Sequence, residues 1–592
     1  MYTDPSLYLS DNFLVLDFET TNIEKGSALE NDNRILLACW QLGPAHPLWF
    51  DDGTEAVWGD EYAQTELVND IEAADFIVAH GAKFELQWLA RCGVDLRKVI
   101  AWDTLLAEKV LHGNLKAVLS LEATATRRGL GNKDAIASLL VKSGVCPSNI
   151  PSGMLEKYCA QDVALTHKIF LEQRKEIFDL RLERVTLCRN LLTPVLADVE
   201  SYGMGMDPER VTVAYDDYKV RYDALMQEFE RMTGGINLKS PKQMREFLYE
   251  KMKFPEVLDY KGNPIETCTG EKGTSKDVLT ALVATTPEQK EFKRVVTALS
   301  LLKTPMQNLT KMKAKADKGE RMYAAFNQAI VQTHRLSSSA RKGGMQFQNF
   351  DRAFKPCFVA REGYVIIEAD FAQLEFRAAA DLTRDAVAEA AIRSGDDVHA
   401  LAASILGIGR QSAKAKTFRP LFGGSSGTPK EKKYYAAFRE KYAIIYKTQT
   451  EWTYEVAKTK QLRIASGLIF YWPDTEIKSS GYVTNSTSIF NYPIQSFSFE
   501  VVALSLRAIW ERVAELDCQI LNTVHDSIIL ECSLECLDEV KSIVIDCMTN
   551  EIYTIMRSIY NYDFKIPLGI ELKIARHWAD KSADTFKHEA KV

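Results

Sequence analysis

Two aspartates far apart in the chain, Asp370 and Asp526, stand at strand ends, where a carboxylate can be held rigidly enough for phosphoryl chemistry. The segment Tyr364 to Ala380, YVIIEADFAQLEFRAAA, runs through the β-branched stretch Val365 to Ile367 into Asp370. It then changes period, with Leu374, Arg377 and Ala378 spaced as on a helix. Ile520 to Leu530, ILNTVHDSIIL, reads as two apolar strands folded back at His525, Asp526 and Ser527, with Asp526 at the tip. Either aspartate alone reads as a helix cap or turn residue. Presented by neighbouring strands, the pair could hold two divalent ions roughly 3.5 to 4 Å apart, which clamps the attacking and leaving oxygens of a phosphoryl transfer.

A second group of carboxylates occupies the N-terminal third. Phe13 to Thr20, FLVLDFET, is an apolar strand bearing Asp17 and Glu19 two residues apart, on the same side of an extended chain. Ile35 to Gln41 and Asp75 to His80 read as companion strands, and Glu85, in GAKFELQWLA, opens a helix. Tyr158 and Asp162, in YCAQDVALTHKIF, lie four apart and share a helix face. Four carboxylates from strand, strand, helix and helix could converge on two metal ions, whereas Asp103, in WDTLLAEKVL, reads as a helix cap. Between the C-terminal aspartates, Arg410, Lys414 and Phe418 recur every four residues. One helix stripe then offers two cations suited to a triphosphate and a ring suited to a sugar or base. Asp397 and His399 precede another helix nearby.

These residues must be positioned by several structural units. At 592 residues the chain exceeds one core, and about three to five units are expected. A composition of 46% hydrophobic and 26% charged residues is that of a soluble protein, without a membrane-spanning apolar run or a signal-peptide layout, so a cytoplasmic location is expected. Eleven scattered cysteines read as reduced thiols rather than zinc ligands or disulfides. The net charge of −7 argues against indiscriminate polyanion binding. A local basic face over residues 239 to 321, including Lys239, Lys242, Lys251, Lys253, Lys303 and Lys311, could still follow phosphates. Leu171 to Leu196 reads as one charged, leucine-spaced helix connecting domains. Ser240 caps a helix starting at Pro241, and Lys251 to Val278 lacks periodicity and reads as a loop.

DFAQLEFR, RQSAKAKTF and TVHDSI resemble motifs A, B and C of the family A (DNA polymerase I-like) DNA polymerases, in the family's order, and the N-terminal third resembles its DEDDy 3′–5′ proofreading exonuclease. The resemblance implies an α/β protein, a ribonuclease H-like exonuclease domain followed by a right-hand polymerase domain. The corresponding boundaries are 1–175 for the exonuclease and 176–235 for the connecting helix and the start of the palm. The thumb follows over 236–325, palm with motif A over 326–400, fingers over 401–485, and palm with motif C and the C-terminus over 486–592. Asp370, Phe371 and Asp526 would hold metal at the polymerase site, and Asp17, Glu19 and Asp162 at the exonuclease site, with Glu85 and Tyr158 also catalytic. The implied cofactor is Mg²⁺, two ions per site, with Mn²⁺ as a substitute. Arg410, Lys414, Phe418, Phe422, His399, Glu375 and Gln373 would contact the nucleotide, Lys414 also protonating pyrophosphate and Glu375 excluding a ribose 2′-hydroxyl. Arg335 in QTHRLSSS, Gln348 and Asn349 in QFQN, Asn491 and Gln495 in NYPIQ, and His525 would contact DNA.

Partners would be primer-template DNA and deoxynucleoside triphosphates, with no membrane, a monomeric state and no accessory replication protein indicated. The compact length is similar to phage replicative members, and a host cytoplasm would then be the location. Departures from the family are equally specific. Glu85 stands where Asp is usual and Gly81 where Asn is frequent, Thr487 replaces an arginine, and Arg419-Pro420 follows Phe418, so the helix should stop there. Phe422 replaces a tyrosine whose hydroxyl would bond Glu375. A single-subunit RNA polymerase, a 3′ exonuclease with a non-catalytic DNA-binding C-terminal region, and a pure binding module are the competing readings.

Overall fold

The computed structural model describes residues 4–43, 54–57, 61–133, 135–259, 262–267, 270–340 and 344–590. The apolar run Phe13–Thr20 forms β1, which is joined by Ile35–Leu42 (β2), Thr54–Val57 (β3), Phe76–Ala79 (β4) and Ala101–Asp103 (β5) in a sheet ordered β3-β2-β1-β4-β5. β1 pairs antiparallel with β2 and parallel with β4, and β4 is parallel to β5. β1 is buried at all but one position because the long helix Ser152–Asp179 packs across it and β2. Tyr8, Phe13, Phe76, Trp102 and Phe170 meet in edge and stacked contacts at 4.9–5.8 Å around that seam.

The expected single helix over Leu171 to Leu196 is two helices, Ser152–Asp179 and Glu183–Tyr202. The break is a helix-end motif in which Arg181 takes a left-handed φ of 53°, Arg181 N bonds Phe178 O and Leu182 N bonds Ile177 O. Neither glycine nor proline marks it. Leu182, which follows the turn, is completely buried.

The helices Pro208–Thr233 and Pro287–Ala316 pack side by side over a separate small core that includes Phe229, Phe247, Phe292 and Leu299. Thr286 closes the second with a capping box, and Ser240 Oγ accepts from Gln243 N at the expected helix start. The aperiodic stretch after Lys251 contains isolated bridges, Leu258 to Pro264 and Glu266 to Lys272, before the short helix Lys276–Ala281. Lys239, Lys242, Lys251 and Lys253 are exposed there.

Ala325–Asn327 (β6) and Ser337–Ser339 (β7) pair with each other. The second large sheet begins at Tyr364–Phe371 (β8), and the hairpin of Gln461–Arg463 (β9) and Ile469–Tyr471 (β10) stands apart from it. Cys518–Val524 (β11), Ser527–Ser533 (β12), Gly569–Ala575 (β13) and Asp584–Glu589 (β14) complete an antiparallel order β11-β12-β8-β13-β14. The helix Ser486–Arg512 runs beneath, buried along most of its length. It meets Glu183–Tyr202 through a buried bidentate pair, Arg189 to Glu500 at 2.5 and 2.8 Å, which Tyr560 Oη joins at 2.5 Å. Glu200 further along that helix binds Lys83 Nζ at 2.5 Å and Gln87 Nε2 at 2.9 Å. One helix thus ties the N-terminal sheet to the C-terminal one. The ten described cysteines are unbridged, and no helix among the described residues is long and apolar enough to cross a membrane.

Candidate active sites

In the N-terminal part the structure brings Asp17, Glu19, Glu85, Tyr158 and Asp162 together around β1, the central strand of the first sheet. Asp17 and Glu19 occupy β1, Glu85 the first turn of the helix Lys83–Arg91, and Tyr158 and Asp162 one face of Ser152–Asp179. Ligand atoms of Asp17, Glu19 and Cys159 lie within 4.8 Å of one another. Burial pushes the Asp17 carboxyl up to about 6 and that of Asp162 to about 7, against the pull of Lys133. Glu19 is pushed well above the usual carboxylate range by burial and by Asp17 and Asp162, and Glu85 by burial and Asp17. Glu85 Oε2 and Asp162 Oδ1 are buried without a hydrogen-bond partner. Hard oxygen donors, crowded, buried and incompletely bonded, fit a divalent cation such as Mg²⁺. Asp103 caps the helix Thr104–His112, its Oδ1 accepting from Leu105 N and from Gly81 N, each at 2.9 Å.

In the C-terminal sheet, Asp370 near the end of β8 lies opposite Ser527 of β12, and Phe371 N donates to the Asp526 carbonyl at 3.2 Å. Asp526 shares the two-residue turn between β11 and β12 with His525, whose φ of 57° fits the tight hairpin. Burial, then Asp526 and Glu368, raise the Asp370 carboxyl to about 7; burial also raises that of Asp526 and lowers the His525 imidazole. Two half-buried oxygen-donor carboxylates that resist ionising side by side fit divalent cations as well. A cavity of about 390 Å³ beside them is lined by Arg335, Gln373, Glu375, Phe418, His525 and Asp526. Arg335 Nη2 and Glu375 Oε1 form an ion pair across it.

Gln373 has a left-handed φ of 53° at the start of the helix Leu374–Thr383. Gln348 braces the hairpin, its Oε1 accepting from His525 N and its Nε2 donating to Thr523 O, both at 2.9 Å. Asn349 is exposed at the end of the turn Phe347–Asn349, and Asn491 and Gln495 sit half-buried one turn apart on Ser486–Arg512, with Asn491 Oδ1 unbonded.

The helix Arg410–Thr417 stops at Phe418, and Pro420–Phe422 continues as one tight turn, as the Arg419-Pro420 pair dictates. Phe418 stacks on Phe376 at 5.6 Å and meets His399 edge-on at 5.8 Å. His399 Nδ1 lies 2.9 Å from Thr417 Oγ1, and burial lowers its pKa despite Asp397. Arg410 Nε is held by Asp397 Oδ2 at 2.5 Å. Lys414 is exposed on the rim of a second cavity of about 520 Å³, shared with Phe418, Phe422, Tyr435 and Thr487.

The motif pattern passes over several neighbours. Lys133 Nζ contacts Asp162 Oδ2 and lies 3.2 Å from Tyr158 Oη, and Cys159 Sγ lies 3.5 Å from Asp17 Oδ2. Glu571 of β13 is paired with Asp370, and Lys573 with Glu368, on the same sheet face. The alternation in GIELKIA carries a signal for that last pair. Nothing in GNKDA marks Lys133.

Comparison with known proteins accounts for this architecture. The chain is 26% identical over 546 residues to DNA polymerase I of Pseudomonas aeruginosa, covering 85% of this chain and 56% of that one. It is 25% identical to DNA polymerase I of Aquifex aeolicus over an alignment of 625 positions, with 96% of each covered. Against the thermostable DNA polymerase I of Thermus aquaticus it is 24% identical over 503 residues, 77% of this chain and 57% of that one. It therefore spans little more than half the length of two of these relatives and nearly all of the third. A solved structure described as the POL domain of Pol1 from M. smegmatis in complex with DNA primer-template and dNTP matches with a TM-score of 0.73 at 18% identity, covering 98% of this chain and 99% of that one. That likeness shows the right-hand polymerase fold. The model of the family described as DNA polymerase family A matches residues 209–580, more than half the chain and all of the Asp370–Asp526 site, so the chain belongs to DNA polymerase family A.

Proposed function

We propose that the chain is a template-directed DNA polymerase that adds deoxynucleotides to a primer 3′ end, with a 3′–5′ proofreading exonuclease in a ribonuclease H-like domain over residues 1–175. The observation that carries the reading is the juxtaposition of Asp370 on β8 with Asp526 in the adjoining β11–β12 turn, beside a cavity bounded by Arg335, Glu375, Phe418 and His525. Asp370, Asp526 and the Phe371 carbonyl would hold two Mg²⁺ ions, which supply a lowered pKa for the primer 3′-hydroxyl and charge neutralisation on the triphosphate. Arg410, Lys414 and His399 bind the phosphates, with Lys414 Nζ giving its proton to the departing pyrophosphate. Phe418 and Phe422 border the nucleotide, and Glu375 and Gln373 crowd its sugar. Arg335, Asn491 and Gln495 read the minor groove of the primer terminus, His525 and Asn349 lie along it, and Gln348 holds the hairpin.

In the N-terminal domain, Asp17, Glu19, Asp162 and Glu85 would hold metal and Tyr158 would orient the attacking water. The exposed lysines of residues 236–325 follow the duplex backbone as a thumb, between the connecting segment 176–235 and the palm over 326–400 and 486–592, with fingers over 401–485.

The test is a labelled primer on a single-stranded template with Mg²⁺, given deoxynucleotides, ribonucleotides or neither. The expected outcome is growth only with deoxynucleotides and shortening when none is supplied. Preference for ribonucleotides would indicate a single-subunit RNA polymerase. Shortening without growth would indicate a nuclease with a silent C-terminal region.

A further inference from the structure

Lys133 is the feature of the N-terminal site that a two-ion arrangement does not use. It follows the helix Leu121–Arg127 and precedes Ala135–Lys142, outside every motif that supplies the carboxylates. Its ammonium nevertheless lies among them, touching Asp162 Oδ2, 3.2 Å from Tyr158 Oη and 4.9 Å from the Tyr158 ring centre, with only 15% of its side chain exposed. Among the described residues it is the one lysine or arginine in salt-bridge contact with Asp17, Glu19, Glu85 or Asp162. The opposite oxygen of the same carboxylate, Asp162 Oδ1, is buried and unbonded, as is Glu85 Oε2.

Three buried carboxylates and the half-buried Asp17 cannot all remain charged without a cation, and the chain supplies one of its own. A divalent ion binding Asp162 meets that ammonium at contact distance. Two cations at such a separation in a poorly solvated site repel strongly, so they cannot share the carboxylate on equal terms. The lysine stem is flexible and the group is near the surface, so the ammonium can withdraw.

Resting on the exonuclease reading, we propose that the Lys133 ammonium is a resident counter-ion of this site that divalent-ion binding must displace. Metal affinity at the site, and with it nucleotide removal, is set by competition with the protein's own cation. A lysine that merely braces Asp162 and Tyr158 makes the opposite prediction, because its loss would loosen the ligands and weaken metal binding.

The experiment measures Mn²⁺ binding by electron paramagnetic resonance in the full chain carrying Asp370→Asn and Asp526→Asn, so that the remaining tight sites are N-terminal. Lys133→Met, which keeps the stem and removes the charge, is expected to bind Mn²⁺ on the order of tenfold more tightly. Lys133→Arg, which keeps the charge, is expected to show no such gain. Primer extension by Lys133→Met alone, at the parent rate, reports that the chain folds; if it does not fold, Lys133→Gln takes its place. Equal or weaker Mn²⁺ binding in the charge-removing variant overturns the inference while leaving the nuclease reading standing. Failure of every variant to bind Mn²⁺ at this site overturns both, and an unsubstituted chain that shortens no primer marks the nuclease reading as the part that failed.

Discussion

The carboxylates at the N-terminal site come from a strand and two helices and surround one ammonium, whereas those at the C-terminal site come from β8 and the β11–β12 turn beside it, joined by a backbone hydrogen bond. Both sites bury negative charge, yet they neutralise it differently. The first uses Lys133, and four acids still leave two oxygens unbonded. In the second, Arg335 is committed to Glu375 and no described lysine or arginine is in salt-bridge contact with Asp370 or Asp526, so Asp370, pushed up to about 7 as Asp162 is at the first site, has a proton but no contacting cation to neutralise it. The difference teaches that protonation is open to both acidic sites, while the first adds an internal cation with which a metal must also compete.

The largest expected effect separates the sites. Asp526→Ala should lower primer extension by more than about 10³-fold while leaving DNA binding and primer shortening intact, and Asp162→Ala should do the reverse. Single-turnover extension and shortening of the same labelled primer measure both. Loss of both activities in either variant would mean that the regions are not independent.

A smaller effect concerns pH without metal. Asp370 rises from 3.8 to about 7, and Asp162 likewise, so the folded chain holds more protons than the unfolded chain between those values. Stability in EDTA should therefore be greatest below about pH 4 on this account and fall as pH rises toward 7, where the buried pairs must ionise. Added Mg²⁺ should restore stability most near and above pH 7, where it meets carboxylates instead of protons. Thermal unfolding across that range, with and without Mg²⁺, checks it. Asp370→Asn should remove part of the pH-dependent loss, and an undiminished loss in that variant would contradict the assignment.

Much of this was legible in the sequence where a local rule and the fold agree. The change of period at Asp370 and the apolar strands flanking His525-Asp526 read directly as β8 and the β11–β12 hairpin. Pro420 ended its helix where the missing amide requires. The break at Arg181 was not legible, because the leucine spacing continues through it and a non-glycine residue takes the left-handed turn. Lys133 was illegible for another reason: its neighbours at the site lie in β1 and in the helix Ser152–Asp179, and its contact with them exists only after tertiary packing. Gln348 reads in the sequence as a DNA contact by family resemblance, and its hold on the hairpin, with both ends of its amide on the protein backbone, has no local signal.

The smallest expected effect tests how Arg335 is occupied. Phe422 lacks the hydroxyl that the family resemblance assigns to Glu375, and Glu375 here pairs with Arg335, with 27% and 29% of the two side chains exposed. If that ion pair holds Glu375, restoring the hydroxyl offers it little. Phe422→Tyr should then change the ratio of deoxynucleotide to ribonucleotide incorporation by less than about threefold, below the roughly tenfold worth of a hydrogen bond to a charged group. In an Arg335→Met background the carboxylate is released, and the same substitution should shift the ratio by about tenfold. Comparing ratios within each background cancels the loss of DNA contact that Arg335→Met itself causes. A large shift in the parent chain would mean that the Arg335–Glu375 pair opens freely and leaves Glu375 open to the new hydroxyl.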